Sequence, residues 1–191
     1  MQLINRKNIK ELIAIFAIAL TVLVSNSFAA RPTSDILPPD LPESCGSIQV
    51  EAGNEVAFHA YAIGVQIYRW NGTAWTLFAP AANLYADAGY NGKVGFHYGG
   101  PTWESNSGSK VLAARVPGTG CTPDGSAVAW LLLKTVSTDG PGIFSNVTYI
   151  QRVATTGGLA PTAPGSTVGE EKRIPYTAEY YFYRLQEEAQ D

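Results

Sequence analysis

Asn71-Gly72 stands between two runs, Ile63 to Trp70 and Thr73 to Phe78, whose side chains alternate in type: Val65 and Ile67 against Gln66, Tyr68 and Trp70. Alternation of period two puts successive side chains on opposite faces of a strand, and Asn-Gly supplies the two positive-φ positions of a type I′ turn. The stretch reads as a β-hairpin with Trp70 and Trp75 side by side across it. Paired rings there are more often packing than a ligand platform. A lone hairpin is marginal in water, so this one commits the chain to a larger sheet.

The remaining segments supply it. Ser47 to Val50 and Glu55 to Tyr61 are short strand candidates around a turn at Gly53-Asn54, with His59 on the face opposite Phe58. Pro80 to Asp87 is mixed. Asn91-Gly92 is a second hairpin signal leading into Val94 to Tyr98, where Val94, Phe96 and Tyr98 share one face and Lys93, Gly95 and His97 the other. Lys110 to Val116, Ala127 to Val136, Ile143 to Ala154 and the ring-rich Ile174 to Leu185 follow as strands, with Gly/Pro loops between them. Periodicity alone also allows a buried helix at Ala127 to Val136. The sum is nine or ten strands and no amphipathic helix, which predicts an all-β antiparallel sandwich or barrel.

Residues 1–29 read as a signal peptide: Arg6, Lys7 and Lys10 precede a 13-residue apolar run, Leu12 to Val24, and Ser27-Phe28-Ala29 is a small-x-small cleavage pattern. The run is short of the ~20 residues that span a bilayer, so no transmembrane anchor is expected after cleavage and the product is secreted or periplasmic. The leader holds three basic residues and one acidic, so removing it takes the net charge from −3 to −5. An acidic surface repels phosphate backbones and argues against nucleic acid as a partner. Residues 30–44 form a Pro-rich extended arm, 45–185 a single β-rich domain and 186–191 an acidic tail. Cys45 and Cys121, the two cysteines of an exported chain, read as one disulfide, the alternative being two buried thiols. Asn71-Gly72-Thr73 and Asn146-Val147-Thr148 match the glycosylation sequon, the first better explained by its turn and the second by a strand.

Several blocks recur in a recognisable order: Gly64-Val65-Gln66-Ile67-Tyr68, His97-Tyr98-Gly99-Gly100-Pro101-Thr102-Trp103-Glu104, Trp130 to Leu133, Val147 to Arg152, Gly157-Gly158, and Pro175 to Tyr180 with Phe182-Tyr183. From Gly64 to Tyr183 the chain resembles the exported bacterial and fungal family catalogued as domain of unknown function 3455. The resemblance implies an exported β-rich domain and no established activity. Some members carry the label malate dehydrogenase, but this chain has no Gly-x-Gly-x-x-Gly opening a helix and no βαβ alternation to hold one. Many members have cysteines after the Gln-Ile-Tyr block and in the later Gly/Pro loop. Here Trp70 and the cysteine-free run Pro161 to Thr167 stand there, which leaves Cys45 and Cys121 as a replacement pair.

Functional chemistry concentrates between Gly92 and Glu104, where a histidine, three aromatics, a carboxylate and a Gly-Gly-Pro turn fall together. His97, Tyr98, Trp103 and Glu104 are the candidate ligand-binding residues, rings offering flat surface and the polar groups hydrogen bonds; a sugar or peptide suits such a platform. A catalytic alternative uses His97 and Glu104 as a small hydrolase, with Asp87, Asp124 or Glu179 as second carboxylate. A metal alternative uses His59, His97 and Glu104. Gln151 and Arg152 read as internal hydrogen bonders. No cofactor motif is present: the chain lacks Gly-x-x-x-x-Gly-Lys-Ser/Thr, Gly-x-Ser-x-Gly, His-Glu-x-x-His and Cys-x-x-Cys. The leading expectation is a non-catalytic module binding an envelope or extracellular ligand. The remaining alternative is a structural or stress-related exported protein in which these residues only pack.

Overall fold

The computed structural model describes residues 36–187. Eight strands follow one another: Asn54–Trp70 (β1), Trp75–Tyr85 (β2), Lys93–Tyr98 (β3), Thr102–Ser105 (β4), Lys110–Arg115 (β5), Leu131–Asp139 (β6), Tyr149–Gly157 (β7) and Glu171–Leu185 (β8). Every neighbour is antiparallel and β8 returns to pair with β1, so of sandwich and barrel the chain forms a closed up-and-down barrel. The leader and the cleavage point after Ala29 lie outside the described residues, as do the arm before Ile36 and the tail after Glu187. Among the described residues no helix is long and apolar enough to cross a membrane.

Several expected boundaries are corrected. Glu55 to Tyr61 and Ile63 to Trp70 are one strand, because the ladder to β8 continues through Ala62, which faces Ala178. β2 runs on through Pro80 to Tyr85, with Pro80 opposite Gln66. Ser47 to Val50 is not a strand: Glu43–Ile48 is a 3-10 helix entered from Pro42. The apolar run from Ala127 becomes strand only at Leu131, and residues 143–146 form a turn before β7. Eight strands therefore replace the nine or ten expected.

The first hairpin forms, with Trp70 paired to Trp75 and their ring centroids 5.5 Å apart, but without the expected type I′ turn: Gly72 takes a positive φ of 102° and Asn71 does not. Its connection is four residues long, because the Asn71 side-chain oxygen accepts from the amides of Thr73 and Ala74 at 2.9 and 2.8 Å and takes over the turn's hydrogen bonding. The β7–β8 loop is fastened to this hairpin: Trp75 Nε1 donates to the Ala163 carbonyl at 2.8 Å and Trp70 N to the Glu170 carbonyl at 2.9 Å.

Two apolar cores share the barrel wall. Inside lie Ala60, Ala62, Leu84, Trp103, Val111, Leu133, Ile150, Tyr180 and Phe182, with Phe144 and Val147 folded in from the β6–β7 loop. Outside β6 to β8 a second cluster joins Leu132, Tyr149, Val153 and Tyr183 to Cys45, Ile48 and Val50. β7 is thus buried on both faces, which is why its sequence shows little alternation of polarity. The N-terminal segment is held on this second core by a Cys45–Cys121 disulfide, with Cα atoms 5.3 Å apart, and by Gln151 Nε2 donating to the Ile48 carbonyl at 2.7 Å. The expected disulfide is therefore present. Closing a loop of 76 residues stabilises the fold by about 4 kcal/mol in the chain-entropy picture.

Candidate functional site

The Gly99-Gly100-Pro101 turn joins β3 to β4, and Gly100 takes the positive φ, 99°, that the turn requires. It sets Phe96 opposite Glu104, His97 opposite Trp103 and Tyr98 opposite Thr102. Facing pairs share a side of the sheet, so the four candidate ligand residues divide into two pairs on opposite sides of the wall. Trp103 and His97 point inward, 1% and 3% exposed; Tyr98 and Glu104 point outward with Phe96. The expectation of one platform is corrected accordingly. The alternation assigned the right residues to common faces, but the histidine face is the buried one.

Inside, the His97 ring stacks on Trp103 at 4.1 Å and 10° and meets Tyr180 edge-on at 5.2 Å. Nδ1 lies 2.9 Å from the Thr102 carbonyl, which can only accept, so Nδ1 carries the proton. Burial lowers the His97 pKa from 6.5 to about 3, against a smaller raising effect of the Thr102 hydrogen bond. The ring is neutral across the physiological range.

Outside, one row crosses four strands: Ile63 on β1 faces Asn83 on β2, Asn83 faces Phe96 on β3, and Phe96 faces Glu104 on β4. A groove of about 500 Å³ lies over this row, lined also by Tyr98, Ala81 and the backbone around Gly64. Its shape follows from the sequence. A Cβ on Gly64 would lie 2.2 Å from the Ala81 carbonyl oxygen and 2.4 Å from Ala82 Cα, so β1 and β2 approach there as only glycine permits. Gly95 is confined in the same way, 2.2 Å from the Glu104 carbonyl oxygen.

The polar side of the groove is set by Glu104. Its Oε2 accepts from the Tyr98 hydroxyl at 2.8 Å and lies 3.6 Å from Lys110 Nζ. That hydrogen bond is the main reason the Tyr98 hydroxyl pKa is raised, with burial a lesser cause. Ile63, Phe96 and Tyr98 are 40%, 41% and 37% exposed, so two rings and an aliphatic side chain face solvent together. The Lys93 ammonium sits 3.8 Å from the Phe96 ring centroid, at the rim. Ile63 and Asn83 come from strands distant in sequence, and no local pattern marked them.

The other candidates resolve as follows. His59 is on the outer wall, its Nε2 2.9 Å from Glu179 Oε2 and its ring stacked on Tyr181 at 3.9 Å. Burial lowers its pKa more than Glu179 raises it. With His97 inside, and His59 and Glu104 on separate strands of the outer wall, the metal triad is not assembled. Among the described residues no three His, Cys, Asp or Glu side chains are grouped to hold a metal. The His97 and Glu104 pair of the hydrolase alternative is likewise split by the sheet. Of the proposed second carboxylates, Glu179 holds His59, Asp87 accepts from the Asn91 amide at 3.0 Å, and Asp124 accepts from Ser126 N and Oγ at 2.8 and 2.7 Å. Gln151 and Arg152 are internal hydrogen bonders, Gln151 to Ile48 and Tyr183, Arg152 to Ala129.

Fold and groove together define an eight-stranded up-and-down barrel with a ring-lined depression on its outer wall. The chain belongs to the family described as protein of unknown function DUF3455, whose model matches residues 51–184. Neither a curated protein nor a solved structure matches it.

Proposed function

We propose that this is an exported, non-catalytic binding module that holds an envelope or extracellular carbohydrate in the outer groove. The observation that carries the reading is the row Ile63, Asn83, Phe96 and Glu104, with the Tyr98 ring tied to Glu104 beside it. Pyranose faces stack on exposed rings, while an amide and a carboxylate fixed at the ring edge accept and donate to hydroxyls. The Cys45–Cys121 disulfide suits an oxidising compartment, and a cleaved leader over residues 1–29 would deliver the chain there.

A glycan array and a cell-wall pulldown test this. Binding is expected for the native chain and about tenfold weaker for Phe96→Ala, the loss typical of removing one stacking ring. Phe96 serves better than Trp103 for this test, because Trp103 belongs to the core. An array and pulldown without retained glycans, or retention indifferent to Phe96→Ala and Glu104→Gln, would end the proposal.

A further inference from the structure

The barrel interior is chemically divided. Toward the β6–β7 loop it is filled by Phe144, Val147, Ile150, Phe182 and Leu84. Toward the other end, beneath the β5–β6 and β7–β8 loops, it is polar. Arg152 points inward from β7, opposite Tyr180. Its Nε and Nη2 donate to the Ala129 carbonyl at 3.2 and 2.7 Å, and it approaches the Tyr180 hydroxyl. Both partners are neutral, and among the described residues no carboxylate pairs with this guanidinium. Tyr180 connects it to the side chains around it: its hydroxyl lies 3.5 Å from that of Tyr176, and its ring meets His97 at 5.2 Å.

Unpaired polar atoms collect in that space. Gln66 is 1% exposed, and neither its Nε2 nor its Oε1 has a hydrogen-bond partner. A Cβ on Gly158 would lie 3.1 Å from Gln66 Cγ and 2.9 Å from Tyr176 Cβ, so the amide and the tyrosine converge under the first residue of the β7–β8 loop. Trp103, stacked on His97, also has an unpaired buried Nε1. Buried polar groups in folded proteins are nearly always satisfied, and the Gln66 amide is not. Arg152 is half-buried, and its positive charge, without a carboxylate partner, stands at the Tyr180 end of this group of neutral side chains.

We propose that this half of the interior binds one small monocarboxylate, with Arg152 as its charge partner and the Gln66 amide donating to it. A monoanion matches the single uncompensated charge, whereas a phosphate dianion exceeds it. An eight-stranded barrel has room for side chains and at most one small ligand, which limits the size. The site is separate from the outer groove and does not depend on carbohydrate binding there.

The full chain, purified in buffers free of organic acids, is titrated with acetate, lactate and benzoate, with phosphate and chloride as controls. The readouts are the Trp103 indole ¹H–¹⁵N resonance, identified with Trp103→Phe, and the melting temperature. A saturable shift of that resonance with a carboxylate, and a concentration-dependent rise in melting temperature, are expected. Gln66→Leu is expected to weaken binding roughly tenfold and Arg152→Met to abolish it, while Phe96→Ala leaves it unchanged. If either interior variant fails to fold, the native titration decides alone. No saturable response to any carboxylate, or an equal response to chloride or phosphate, overturns the proposal.

Discussion

His97 is held as a neutral base by burial against Trp103 and Tyr180, and its Nδ1 proton is committed to Thr102. Its folded pKa of about 3 lies below the unfolded value of 6.5, so the unfolded chain takes up a proton that the folded chain refuses. Above the unfolded value this residue gives no pH dependence. Between about 6.5 and 3 it lowers stability by about 1.4 kcal/mol per pH unit, and below 3 the effect levels off. Urea titrations from pH 7 to pH 4 are expected to show this slope in the native chain and a shallower one in His97→Phe, which keeps the ring and removes the titration. Trp103 is equally structural: Trp103→Ala is expected to cost about 4 kcal/mol in the same assay, because it empties a fully buried indole site.

At the scale of elements, the close approach of β1 and β2 at Gly64 sets the shape of the groove floor. Gly64→Ala forces a methyl group within 2.6 Å of Ala82 Cβ and closer still to its backbone, and is expected to destabilise by about 3 kcal/mol. The melting temperature and glycan retention of Gly64→Ala, measured together, report the fold and the groove in one variant. The N-terminal segment is a second such element. Cys45→Ser with Cys121→Ser is expected to lose about 4 kcal/mol by urea unfolding under oxidising conditions, and reducing agent is expected to lower the native chain to the same level. What was legible in the sequence follows these elements. The hairpin at Asn71-Gly72 could be read because its signal is local, and the faces of β3 because alternation is a property of the strand alone. Which face is inside could not be read. Period two divides side chains into two sets without saying which set meets the core, and here rings at Phe96 and Tyr98 face solvent while an imidazole is buried. The join of two strand candidates into β1, and the row from Ile63 to Glu104, depend on pairing between distant segments that no local pattern encodes.

Across the whole molecule, the seam between β1 and β8 extends from Asn54–Leu185 to Arg69–Glu171, so the first and last strands complete each other. It conceals the only two strands whose outer edges the meander leaves open, and it makes the fold depend on contacts of the longest sequence separation, the slowest kind to form. A chain emerging from the ribosome, or threaded through a narrow translocation pore, cannot satisfy its first strand until residue 185 has followed. Until that moment the polypeptide stays pliable, and closing the ring is the last act of its folding.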